Sequence, residues 1–202
     1  MKTIVAKWYR PGICTALAFS LCLYIGASFG NGTCQNPPWG PSGLSCVSWN
    51  VENDTDFVIS IKFDAFYKQY HQTGGYEIKK SDSLEERFAL APGGISRNNA
   101  DAYFVDTPSG YPTLEPNDWA GVVRMSKSSK GYDYYILPRH QCSIASSDLG
   151  GKITIKIMKS PLYRKTIYIA DIVMPGSANC SGQLVEVSKE QAIASYGEFW
   201  KK

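Results

Sequence analysis

Val47-Ser48-Trp49-Asn50-Val51-Glu52 leads into the polar run Asn53-Asp54-Thr55-Asp56, and Phe57-Val58-Ile59-Ser60-Ile61-Lys62-Phe63 follows. Val47, Trp49 and Val51 share one face of an extended chain. Phe57, Ile59, Ile61 and Phe63 share another, opposite Ser60 and Lys62. Successive side chains of a strand point to opposite sides, so alternation of this kind marks a strand with one buried face. Two such runs around a polar cluster read as a hairpin. Ile153, Ile155 and Ile157, alternating with Thr154 and Lys156, repeat the pattern. Ser160-Pro161-Leu162-Tyr163-Arg164 reads as the turn, and Ile167 and Ile169 open a return strand that runs to Val173. Pro175-Gly176-Ser177 closes this second hairpin.

Weaker strand signals lie at Tyr76–Ile78, Phe88–Ala91, Ala102–Val105, Gly121–Met125, Tyr134–Leu137 and Leu184–Val187, punctuated by glycine and proline turns. Many short strands with regular turn signals indicate a mainly β protein: an antiparallel β-sandwich, of jelly-roll or immunoglobulin-like variety. Helical periodicity is nearly confined to the C-terminus. There Ser188-Lys189-Glu190-Gln191 has the form of a capping box, and Ile193, Tyr196 and Trp200 make one apolar stripe. A short C-terminal helix docked on a sheet is expected. The Asn-x-Thr run into Ile59-x-Ile61, with the later Pro92-Gly93 turn, resembles small secreted β-sandwich proteins, aegerolysin-like membrane binders among them. The resemblance covers a few positions; it implies a sandwich and gives no function.

Residues 1–30 read as a signal peptide. Lys2, Lys7 and Arg10 precede an apolar stretch from Ile13 to Phe29, and small residues gather at Gly26, Ala27, Ser28 and Gly30. The alternative is an uncleaved anchor, since the apolar stretch is longer than most signals and shorter than most spans. The expected location is therefore secreted or periplasmic. Residues 31–46, rich in proline and glycine, read as an irregular, disulfide-tied lead-in, and 47–202 as a single β-rich domain. Without Lys2, Lys7 and Arg10, the remaining bases of the 21 balance the 18 acids. The chain then lacks the basic footprint of a nucleic-acid reader.

Cys34, Cys46, Cys142 and Cys180 remain beyond the signal. An even number in an exported chain favours two disulfides, in any of three pairings. Cys34–Cys46 and Cys142–Cys180 are preferred because each joins chain neighbours in a β-meander. No metal is expected: a zinc site usually has one ligand pair two to four residues apart, and His140 with Cys142 is a single weak instance.

No catalytic set is expected either. There is no Gly-x-Ser-x-Gly elbow, and His71 and His140 are the only imidazoles. Asp82, Glu85 and Glu86 read as a solvated turn or a helical turn with the acids facing water, and Glu115 and Asp118 flank a proline turn. No cofactor loop is present. Asn-x-Ser/Thr sites occur at Asn31, Asn53 and Asn179. The aromatic excess points to recognition. Tyr111 and Trp119, in proline-rich loops, with Tyr132, Tyr134 and Tyr135, are the candidate contact residues, in the region Tyr103–Tyr135. The function expected is a non-enzymatic recognition protein binding an extracellular or envelope protein or glycan. A membrane-active, toxin-like sandwich and a polysaccharide hydrolase with a carboxylate pair are the alternatives.

Overall fold

The computed structural model describes residues 44–70, 74–105, 117–126, 131–144, 148, 151–163 and 166–201. The expected signal, Cys34, Tyr111, His71, Glu115 and Asn31 lie outside them. Ten strands and one helix follow in order: β1 (Leu44–Asp54), β2 (Ile59–Tyr70), β3 (Tyr76–Leu90), β4 (Ala100–Val105), β5 (Asn117–Ser126), β6 (Tyr132–Cys142), β7 (Lys152–Lys159), β8 (Tyr168–Val173), β9 (Cys180–Gln183), β10 (Val185–Val187) and α1 (Lys189–Tyr196). They form two five-stranded sheets, ordered β4-β1-β7-β8-β9 and β10-β6-β5-β2-β3. The chain is mainly β and consistent with a sandwich. Every pairing is antiparallel except that of β1 with β7.

The core lies between the sheets and is built from the alternating faces. Val47, Trp49 and Val51 of β1, Ile153, Ile155 and Ile157 of β7, and Ala170 and Ile172 of β8 meet Ile59, Ile61 and Phe63 of β2 and Trp119, Val123 and Met125 of β5. Trp49 and Trp119 meet edge to face across the layers, with ring centroids 5.1 Å apart. That geometry suits the quadrupoles of the two indoles. Gly121 leaves room for the ring of its cross-strand partner on β2: a Cβ there would lie 2.5 Å from Phe63 Cδ1.

The expected hairpin of β7 and β8 is present, in the register Ile157↔Ala170 and Met158↔Ile169. The hairpin expected between residues 47–52 and 57–63 is not. β1 and β2 belong to different sheets. Asn53 explains the crossing. Its buried amide donates to the carbonyls of Phe57 (2.7 Å) and Leu90 (2.9 Å), while its Oδ1 accepts from Thr55 N (3.1 Å) and Thr55 Oγ1 (2.7 Å). The polar run is thus a folded corner between layers. Alternation reports which face is buried, and a crossing corner buries the same faces as a hairpin. A second correction concerns Ser81–Arg87. The expected solvated turn lies inside the long strand β3, where Leu84 and Glu86 are buried.

Cys142 and Cys180 form a disulfide. The pairing is the preferred one, although its setting differs from a meander. It joins the end of β6 in one sheet to the start of β9 in the other. Gly182 lets β9 close on that seam, because a Cβ there would sit 2.5 Å from Leu137 Cδ1 and 3.0 Å from His140 Cγ.

Helix α1 carries the expected capping box. Ser188 Oγ accepts from Gln191 N (3.2 Å) and Gln191 Oε1 accepts from Ser188 N (2.9 Å). The helix docks on the outer face of the second sheet, where Ala192 and Phe199 pack with Val122 and Tyr134. Gly197, at φ 69°, ends it, so Trp200 reaches Tyr134 from beyond the helix rather than along its stripe.

Candidate functional site

The candidate aromatic residues are dispersed by strand parity. Trp119 lies on β5 in step with Gly121, Val123 and Met125, so its ring is wholly buried in the core. Its expected role in an exposed loop is corrected accordingly. Tyr134 faces the other way, beneath Trp200, at a ring distance of 5.3 Å. Burial raises its pKa, with the Arg124 charge opposing. Tyr135 points to the core side and meets Tyr168 edge to face; burial and then Asp133 push its pKa up to about 12. Tyr132 alone of the four described is exposed, with the Arg124 guanidinium 4.2 Å from its ring centroid. These residues do not form one surface.

Exposed apolar side chains gather instead at the end of the sandwich where β1 crosses to β2. Among the described residues, Val58, Ile95, Tyr132, Leu162, Tyr163 and Val185 are exposed there, against Tyr76 and Ile78 at the start of β3. Backbone bonds tie this end together: Ser126 N donates to Val58 O, Gly93 N to Asn53 O, and Leu184 N to Tyr168 O. The most prominent part is the tip between β7 and β8. Ser160 N donates to Ile167 O (2.7 Å), and Ser160 Oγ accepts from Leu162 N (3.4 Å). With Pro161 restricting the backbone, this turn holds Leu162 at 85% exposure and Tyr163 at 54%.

A groove of about 380 Å³ opens beneath that tip on the outer face of the first sheet. Register explains its floor. Ile157 and Ala170 face the core, so Met158 and Ile169 face outward, and Gln183 continues the row on β9. Ile167 and Leu162 close one side, while Asp171 and Ser181 form the polar rim. A second hollow of about 220 Å³ shares Ile167 and Gln183 and is lined by Tyr135 and Tyr168. The larger volume is at the low end of small-ligand sites.

The rim acids are engaged locally. Asp171 accepts from Ser181 Oγ (2.5 Å) and Asn179 Nδ2 (3.2 Å). Glu52 pairs with Lys156 at 3.2 Å. Glu85 and Glu86 point to opposite faces of β3: Glu85 meets Arg87 at 2.6 Å, and Glu86 Oε2 accepts from Arg97 N. Asp118 pairs with Arg139 at 3.2 Å. Glu85, Glu86 and Asp118, three of the acids that the hydrolase alternative would use, are thus each engaged with a different group, while Asp82 Oδ2 accepts from Asp101 N (3.4 Å). His140, Cys142 and Cys180 bring three potential metal-ligating atoms within 4.8 Å of one another. The two sulfurs are bonded to each other, however, and metals take thiolates. Of the glycosylation sites, Asn53 is buried and its amide is used twice, whereas Asn179 is exposed.

No family model and no curated protein matches this chain. Among solved structures, the chain is similar to the membrane-binding domain of pneumolysin, with TM-score 0.31 and 9% identity over 71% of this chain and 97% of that one. It is also similar to the human-specific toxin intermedilysin, with TM-score 0.28 and 10% identity over 64% of this chain and 24% of that one. At such scores the likeness carries nothing about what this protein does.

The sequence offered one missed signal for the site. Leu162 and Tyr163 are large apolar residues inside a proline turn, where the expected content is small or polar.

Proposed function

We propose that this is a disulfide-stabilised, non-enzymatic recognition protein working outside the cytoplasm, and that it engages its ligand with the β7–β8 end rather than with the Tyr103–Tyr135 region. The observation that carries this is the Leu162–Tyr163 tip, held exposed by its own turn above an apolar groove. Large apolar groups presented together at a surface mark interaction sites. The Cys142–Cys180 disulfide supports an oxidising location, since such bonds are rare where thiols are kept reduced. The separate engagement of Glu85, Glu86 and Asp118 favours binding over hydrolysis.

The test is capture. The exported protein is immobilised and offered envelope proteins, polysaccharides and lipid vesicles separately, alongside Leu162→Asp and Tyr163→Asp variants. Capture by the parent that both variants lose supports the proposal. Capture that both retain moves the site elsewhere. No capture from any class by folded, disulfide-bonded protein refutes the recognition role.

A further inference from the structure

Apart from the β7–β8 end, we propose that the Cys142–Cys180 disulfide is a thiol–disulfide exchange site, opened at Cys180 by an external thiolate with the His140 imidazole as proton donor. Three features of the seam carry this. The two sulfurs are unequal. Cys142, at the end of β6, is 1% exposed, whereas Cys180 opens the four-residue edge strand β9, is half-buried, and follows the exposed Ala178 and Asn179. An imidazole faces them: His140 Nε2 lies 3.3 Å from Cys180 Sγ, and a ring nitrogen and both sulfurs are all within 4.8 Å of one another. The backbone builds this position. His140 and Cys142 are two residues apart on β6 and share a face, and Gly182 on β9 leaves the space beside the ring, since a Cβ there would lie 3.0 Å from His140 Cγ.

A bond that only staples two sheets needs no imidazole beside it. Exchange does, because the thiolate is both attacking and leaving group, and an adjacent histidine favours that form. The external thiolate attacks Cys180 Sγ, the sulfur it can reach. The Sγ–Sγ bond breaks, its electron pair leaves on Cys142 Sγ, and His140 gives that enclosed thiolate a proton. A second external thiolate then attacks the external sulfur of the mixed disulfide, and Cys180 leaves as a thiolate beside the ring, which has regained a proton from solvent. Two external thiols become one disulfide, and Cys142 and Cys180 take up the same two electrons. The protons that the external thiols lose on ionising are those gained by the two cysteines. Once reduced, the Cys180 thiol has an acceptor in the Gln141 carbonyl, 3.5 Å from its sulfur.

Reduced glutathione is the probe. The folded, oxidised full exported chain is incubated with it in the presence of a chelator, quenched with acid, alkylated and mapped by mass spectrometry, which separates this bond from the other cysteines. Cys142–Cys180 is expected to open in the folded protein at a rate that rises with glutathione, and the trapped adduct should sit on Cys180. His140→Ala should slow the opening about tenfold or more, as for the loss of a positioned proton donor. The sign separates chemistry from packing: a variant that merely loosened β9 would open faster. A bond that stays closed until the chain unfolds, an adduct carried by Cys142, or opening as fast or faster in His140→Ala overturns the proposal. Where the adduct is too brief to trap, the rates of parent and variant decide. Ligand capture by the Leu162–Tyr163 tip is a separate measurement, so either reading can fail without the other.

Discussion

Replacing Cys142 and Cys180 together by alanine removes the covalent link between the two sheets. The bond closes a loop with a sequence separation of 38. The chain-entropy relation for a loop of that length gives a stabilisation of about 4 kcal/mol, through loss of freedom in the unfolded chain. For a domain of this size that corresponds to a fall in melting temperature of about 8–16 °C. Alanine is preferred to serine because Cys142 is buried and a hydroxyl there would need a partner. Replacement is also preferred to reductant, which would act on every disulfide of the chain. The assay is thermal and urea unfolding by circular dichroism, with hydrogen exchange at Ser181, Gly182 and Gln183. The effect should be largest at β9, a short edge strand held by β8 on one side and by this bond across the layers. A fall of less than about 3 °C, with unchanged exchange in β9, would refute the reasoning and mean that packing around Gly182 alone holds the seam.

Three further outcomes follow from the geometry. Trp119→Ala should cost about 3–5 kcal/mol in urea unfolding, because it empties the centre of the core; unaltered stability would return Trp119 to the surface. Gly182→Ala should destabilise by about 1–3 kcal/mol, since its Cβ would meet Leu137 and the His140 ring; a neutral or stabilising result in the same assay would contradict the close packing of β9. Stability should fall as pH rises from about 10 to 12. Tyr135 and Tyr196 are each pushed up to about 12 by burial, so the unfolded chain loses their protons first, and stability is lost through that window. Tyr135→Phe with Tyr196→Phe should flatten this fall in unfolding followed against pH, and an equally steep fall in the double variant would count against it.

Much of the fold was legible because alternation is a local property. Ile153, Ile155 and Ile157 announce a buried face wherever their strand pairs, and Ser188 with Gln191 announces a helix start. What was not legible was neighbourhood. The alternating runs about Asn53 have the same pattern in a hairpin as in a crossing, and the choice depends on where the Asn53 amide finds the Leu90 carbonyl, 37 residues away. The parallel pairing of β1 and β7 leaves no local mark at all. The site was less legible than the fold. Trp119 falls two residues before Gly121, in step with the strand signal there, yet Pro116 and Asp118 beside it suggested a loop. Leu162 and Tyr163 looked like an ordinary turn because sequence does not show whether a turn's apolar residues fold down or stand out.

The parallel pairing of β1 with β7 also sets an order of events during synthesis. Asn50 and Thr154, joined side chain to side chain, are 104 residues apart. β1 lies between β4 and β7 in its sheet, so its second partner is made only when three-quarters of the chain has been polymerised. β2, β3, β5 and β6, which pair among themselves in the fold, are all complete by Cys142. Non-local pairings of this kind are slow and leave apolar edges open meanwhile. Until β7 is made, β1 lacks one of its two partners, and a chain truncated before Lys159 is expected to aggregate rather than to fold as a smaller domain.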